Sequence, residues 1–214
     1  MIPLRDSTKS ESFPIITLIL IAINIFIYFQ YFFLDTIYVE QTFYRYGLIS
    51  ANLYYNNQFS TLFTYMFIHA TPMHLIANIW ILWLFGDNIE DKMGKFNFLV
   101  FYIICGILAG ITHYLSDPNS YIPVVGASGA VAGVMGAYFL KFRHAKVLTF
   151  VPPFFLFNFP AWIYLGFWIL TQLWCGAQEL FLQGACGQIA FFAHIGGFIA
   201  GMILLGLFLK PFNR

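Results

Sequence analysis

The stretch "VVGASGAVAGVMGAY", Val124–Tyr138, decides how this chain is read. It is apolar enough for a membrane helix, is built largely of glycine and alanine, and carries one hydroxyl, Ser128, near its start. From Gly126 to Leu140 there are 15 residues, roughly 22 Å of helix against about 30 Å of hydrocarbon. Such a helix cannot span alone. If Lys141 holds one end at a surface, the first turn lies below the opposite surface, and residues 117–125 must dip inward to meet it. Irregular backbone at that depth is tolerated only beside a water-filled cavity or within protein. The stretch therefore asks for a wet pocket with Ser128 at its floor. A helix N-terminus there offers free N–H groups and a dipole that favours negative charge.

The rest of the chain supports the membrane reading. Its 214 residues are 60% hydrophobic, 21% aromatic and 9% charged, far more apolar than a soluble domain of that size. Uncharged runs cover Phe13–Leu34, Phe96–Ser116, Pro118–Leu140, Val147–Gln178 and Leu180–Leu209. Tyr46–Gly86 is too long for one helix and divides into a polar loop, Asn52–Ser60, and a helix from Leu62 to Phe85. At roughly 20 residues per crossing, six helices are predicted near 14–34, 62–85, 96–115, 126–140, 161–179 and 189–209. The first is too long for a signal-peptide core and lacks a small-x-small cleavage site, so it is expected to be retained. Residues 147–160 read either as an interfacial loop or as an extension of the fifth helix.

Nine of the ten Lys and Arg residues fall on one side of this six-helix plan, and only Arg45 falls on the other. The positive-inside rule then predicts that both termini are cytoplasmic. Residues 1–12 and 210–214 are expected as short tails around a helical domain, 13–209. A net charge of +1 with no basic run argues against nucleic acid as a partner. Three cysteines make no disulfide framework; a Cys175–Cys186 pair is open to either outcome.

Ionisable or polar side chains at membrane depth are functional candidates by default. Ser128 lies 13 residues before Lys141, His194 lies 16 before Lys210, and His74 lies 13 before Asp87. These spacings put them roughly 20, 24 and 20 Å above the cytoplasmic charges, with Asn78 one turn below His74 on the same face. Gly129–Gly133 and Gly197–Gly201 have small-xxx-small spacing, extended by Gly136 and Ala193. That spacing lets two helices approach closely in lipid, and if those faces meet, Ser128 and His194 come together. Alone, G-A-S-G is ordinary helix packing. Four polar residues at one depth instead suggest a nucleophile (Ser128), a general base (His194) and oxyanion donors (His74, Asn78). The motif is not the G-x-S-x-G elbow of soluble hydrolases, since position 130 is Ala. His69 is expected to hydrogen-bond rather than react, Glu90 and Asp91 to tie down the turn after the second helix, and His113 and His144 to be solvated at interfaces.

With "FIHATPMHLIANIWILWLFGDNIEDKMG" and "AHIGGFIAG" added to the opening stretch, the chain resembles the rhomboid family of intramembrane serine proteases from about Phe63 to Gly201. The resemblance implies a six-helix bundle with a short central fourth helix and a Ser128–His194 dyad without an acidic third member. It implies an oxyanion site of His74, Asn78 and the Ser128 N–H, and a gate and cap at the fifth helix and loop 179–188. The implied substrates are single-span membrane proteins, and no cofactor or metal is implied. Two departures stand out. Ala132 replaces an aromatic residue that stacks on the histidine in some relatives, so the base must be held otherwise. Tyr44–Arg45 replaces a Trp-Arg pair. A non-catalytic client binder of the same fold and a small transporter or channel are the alternatives. The dyad disfavours the first, and the want of a charged midplane site or inverted repeat disfavours the second. The plain six-helix plan points to a prokaryotic inner membrane.

Overall fold

A computed structural model describes residues 1–182, 186 and 189–210. In chain order the elements are β1 (Ile2–Asp6), α1 (Ile15–Phe32), α2 (Thr36–Tyr46), α3 (Ser50–Tyr55), α4 (Thr61–Thr64), a 3-10 turn (Tyr65–Phe67), α5 (Pro72–Met93) and α6 (Lys95–Ser116). They continue with α7 (Ser128–Lys141), β2 (Lys146–Val151), β3 (Phe155–Pro160), α8 (Ala161–Glu179) and α9 (Phe191–Phe208). The protein is mostly helical. Among the described residues, α1, α6 and α9 are long and apolar enough to cross a membrane, and a fourth span results if α4 through α5 count as one bent crossing. This is the make-up of a multi-pass membrane protein.

The helix predicted over 62–85 is broken. Residues 61–67 and α5 meet at a bend of 95°, and α5 starts afresh at Pro72, where a missing N–H costs nothing. Thr71 caps it, its Oγ1 accepting from the His74 N–H at 3.1 Å. The residues between, including His69, are left as non-helical backbone. Residues 2–6, expected within a tail, form a strand, and the ambiguous 147–160 stretch is a hairpin rather than more of α8. β1 pairs antiparallel with β2, and β2 with β3. Period-two alternation buries Val147 and Thr149. Trp80 Nε1 donates to the Pro3 carbonyl at 2.7 Å, and Asn88 Nδ2 donates to the Asp6 carboxylate at 3.1 Å. The Tyr138 hydroxyl also bonds the Asp6 carboxylate, and burial pushes this carboxyl above its ordinary pKa. Of the expected tail 210–214, residues 211–214 lie outside the described residues, as does part of the expected cap, loop 179–188.

At the core, α7 is buried along its whole length from Gly129 to Tyr138, because its small side chains let neighbours close in. A Cβ on Gly197 would lie 2.0 Å from the Gly129 carbonyl oxygen, and one on Gly201 1.9 Å from that of Gly133. On Gly136 it would lie 2.1 Å from the Phe198 carbonyl oxygen. The two glycine faces therefore meet backbone to backbone, as their spacing predicts. By contrast, α8 is peripheral, with Trp162, Phe167, Leu170 and Trp174 exposed. Its far end is joined to the segment before α9 by a Cys175–Cys186 disulfide, with Cα atoms 5.7 Å apart; Cys105 is a buried free thiol.

Glu90 stabilises the opposite end of the bundle. No side chain of α1 or its flank caps the first turn of that helix. The Glu90 carboxylate supplies the acceptors instead, taking the N–H groups of Ile16 and Thr17 at 3.0 and 2.8 Å and the Thr17 hydroxyl at 2.8 Å. Asp91 beside it accepts from Ser12 and pairs with Lys92. Glu90 is 1% exposed, so Glu90→Ala strands buried donors. We expect it to cost roughly 3 kcal/mol and Glu90→Gln less, measured by equilibrium unfolding in mixed micelles.

Candidate active site

Ser128 is the first residue of α7, and Ala127 before it offers no side-chain cap, so the opening N–H groups of the helix have no intrahelical acceptor. Gly126 has φ +130°, a conformation open to glycine. A Cβ there would lie 2.7 Å from both Cε1 and Nε2 of His74 and 3.7 Å from Ser128 Oγ. The His74 ring therefore lies directly over Gly126, beside the hydroxyl. His74 sits in the first turn of α5, oriented by the Thr71 cap. Asn78, one turn on and 6% exposed, donates one amide hydrogen to the His74 carbonyl at 3.0 Å, leaving the second amide hydrogen for another acceptor.

The irregular segment before α7 is held by backbone hydrogen bonds to other parts of the protein. Leu48 and Val124 exchange both backbone hydrogen bonds, at 2.9 and 2.8 Å, the Gly126 N–H donates to the Tyr65 carbonyl at 2.9 Å, and Ala51 N–H donates to Ser120. His69 has the hydrogen-bonding part expected of it. Its backbone N–H and carbonyl are both clamped by the Tyr31 hydroxyl, at 2.7 and 2.8 Å, and its Nε2 accepts from the Ala127 N–H at 3.5 Å. His113 differs from expectation. Both its ring nitrogens are buried with no hydrogen-bond partner among the described residues, because α6 is held between α7 and α9 rather than at an interface. His144 is exposed and bonded to Arg143. Arg45 lies over the Tyr46 ring, 5.4 Å from its centroid, rather than over Tyr44.

His194 lies in the first turn of α9, across the glycine contact from Ser128. Its Nε2 is 2.7 Å from Ser128 Oγ, and its Nδ1 is 2.7 Å from Gln172 Oε1. Trp168, one turn before Gln172, puts its ring 5.8 Å from the imidazole at 35° and 6.0 Å from the Phe198 ring. The aromatic neighbour missing at Ala132 is thus supplied from α8. Gln172 and Trp168 are not ionisable, so neither is marked by charge in the sequence. The legible signal is depth: Gln172 is an amide 11 residues beyond Ala161 in an apolar segment, roughly 17 Å along the helix.

Ser128, His74 and His194 each keep partial exposure while the ten residues after Ser128 are buried, so the polar cluster at the start of α7 is not sealed inside the bundle. Two cavities elsewhere, of about 530 and 310 Å³, are apolar and involve neither Ser128 nor His194. The first lies between α3 and α6 and the second beside the 61–67 segment. What this arrangement can do chemically is limited and specific. A hydroxyl bonded to an imidazole whose other nitrogen is engaged, at a helix N-terminus flanked by a second imidazole and an amide, is the constellation of a serine nucleophile, its base and oxyanion donors.

The fold and site define a class, a helical membrane protein with a half-buried Ser–His pair, and comparison with known proteins gives the family. Residues 56–211 match the rhomboid domain model, well over half of the chain; the protein belongs to the rhomboid family. It is 37% identical to YdcA of Bacillus subtilis over 83 residues, covering 39% of this chain and 41% of that protein. It is 31% identical to the mitochondrial Rhomboid protein 1 of Saccharomyces cerevisiae over 141 residues, 64% of this chain and 38% of that one. It is 27% identical to the chloroplastic Rhomboid-like protein 11 of Arabidopsis thaliana over 177 residues, 77% of this chain and 58% of that one. The matches thus span less than two thirds of these relatives' own lengths. Because the relatives include mitochondrial and chloroplastic proteins, they do not support confining this one to a prokaryotic inner membrane.

Proposed function

We propose that this chain is an intramembrane serine endopeptidase that cuts single-span membrane proteins in or near their transmembrane segments. The observation that carries this reading is the 2.7 Å contact between Ser128 Oγ and His194 Nε2, made at the N-terminus of a helix too short to span. His194 Nε2 takes the Ser128 hydroxyl proton as Oγ attacks the scissile carbonyl carbon. The resulting oxyanion is met by the Ser128 N–H, the His74 ring and the free amide hydrogen of Asn78. The protonated His194 then gives its proton to the leaving amine as the C–N bond breaks, leaving an acyl-serine. Water, deprotonated by His194, hydrolyses that ester and restores the hydroxyl.

The same reading sets the bundle in the bilayer as six crossings with both termini cytoplasmic. α1, α5, α6, α8 and α9 are five of the crossings, and α7, a short central helix, makes the sixth together with the segment before it. The peptidase test is Ser128→Ala in a cell carrying a reporter with one transmembrane segment. Loss of the cleaved fragment, with unchanged protein level and melting temperature, is expected. Cleavage at the parental rate in that variant would end the assignment.

A further inference from the structure

Four hydrogen bonds run in series from the α8 backbone to the dyad. The Thr171 hydroxyl donates to the Trp168 carbonyl at 2.6 Å, and Gln172 Nε2 donates to Thr171 Oγ1 at 3.2 Å. Because the amide nitrogen is engaged there, Gln172 presents its oxygen to His194 Nδ1 at 2.7 Å. The orientation of an amide is settled by such networks. An oxygen acceptor at Nδ1 requires that nitrogen to carry the imidazole proton. Nε2 is then the free lone pair, and it faces Ser128 Oγ at 2.7 Å. This is the tautomer a general base needs, and it is selected by a neutral amide where a carboxylate would serve in a triad.

We infer that Gln172 is the positioning residue of His194, setting its tautomer and, with the Trp168 ring, its orientation from α8. The inference rests on the peptidase reading for its kinetic consequence. The nucleophile and base ride on α7 and α9, which touch backbone to backbone, whereas the group that orients the base comes from a helix with much of its surface exposed. Movement of α8 away from α9 would release Nδ1 and leave the imidazole free to turn, without separating α7 from α9. Base alignment is thereby tied to the seating of α8. The titratable groups acting on His194 are His74 on α5 and His113 on α6; α7 and α8 bring the neutral Ser128, Gln172 and Trp168 to the ring.

The test compares the full-length protein in detergent or bicelles with its Gln172→Leu and Gln172→Glu variants. Gln172→Leu is expected to lower kcat about 10- to 100-fold with KM changed less than about twofold, since no substrate contact is removed. Gln172→Glu keeps an acceptor and is expected to restore most of the rate. It should also move the acid limb of kcat/KM to higher pH, because a carboxylate stabilises the imidazolium. In protein labelled with [15N]histidine, the parental His194 signal is expected in the Nδ1–H form and that of Gln172→Leu in a mixture. Parental kcat and an unchanged His194 tautomer in Gln172→Leu would overturn the inference. Should that variant not fold, Gln172→Glu decides alone: a raised acid limb supports the inference, and an unmoved limb overturns it. If the parental protein cleaves nothing, the peptidase reading fails while the tautomer measurement still decides the part played by Gln172.

Discussion

His194→Ala is expected to lower the rate of reporter cleavage by at least about 10³-fold, and Ser128→Ala by as much. The double variant should be no worse than either single one. The double variant is the discriminating one. A nucleophile and its base act as a unit, so removing either forfeits the step that both perform, and the losses do not add. Residual cleavage over solvent would come from the oxyanion donors and from substrate positioning. The geometry behind the expectation is the pair of 2.7 Å contacts on the two imidazole nitrogens. The measurement is cleavage of a single-span substrate in proteoliposomes, beside covalent labelling of the serine by a fluorophosphonate. Labelling should be lost in Ser128→Ala and slowed in His194→Ala. Losses that multiply in the double variant would show that serine and histidine work independently, against a dyad.

The second large effect concerns the contact that brings the dyad together. Gly201→Ala is expected to destabilise the bundle by about 3 kcal/mol or more, whereas Gly206→Ala, on the same helix, should be neutral or slightly stabilising. A methyl at 201 would meet the Gly133 carbonyl oxygen at 1.9 Å. Backbone cannot swing aside as a side chain does, so α7 and α9 must separate, and overpacking of this kind is costly. Among the described residues nothing lies within 4 Å of a Cβ at 206, where alanine brings its better helix propensity. Because Ser128 and His194 stand at the upper end of this contact, Gly201→Ala should also cost activity at temperatures where the protein remains folded. Equilibrium unfolding together with reporter cleavage would check both. Equal stability of the two alanine variants would mean that the backbone contact does not hold the helices.

A broader consequence follows from the division of labour between helices. The α7–α9 pair meets backbone to backbone and carries Ser128 and His194. α5 contributes His74 and Asn78 through a freshly capped first turn, and Glu90 near its other end secures α1. α8 holds His194 by one amide and one indole, so its seating is the element of the site most open to change.

The sequence by itself determined the membrane class and the helical segments near 14–34, 96–115, 126–140, 161–179 and 189–209. It also determined the meeting of the Gly129–Gly133 and Gly197–Gly201 faces and hence the Ser128–His194 pairing. These are legible because 3.6-residue periodicity, a 1.5 Å rise and the absence of side chains at glycine are local properties that convert directly into position. Only the tertiary structure decided the rest. The break before Pro72 arises where a local cap competes with an apolar run that would otherwise continue as helix. The strand at residues 2–6 exists because β2, at residues 146–151, offers it an edge far away in sequence. Glu90 capping α1, and Gln172 with Trp168 holding His194, are partnerships between helices whose mutual rotation no single segment encodes. A neutral amide gives no charge signal along the chain; it acquires its part from the imidazole that the fold brings within 2.7 Å of it.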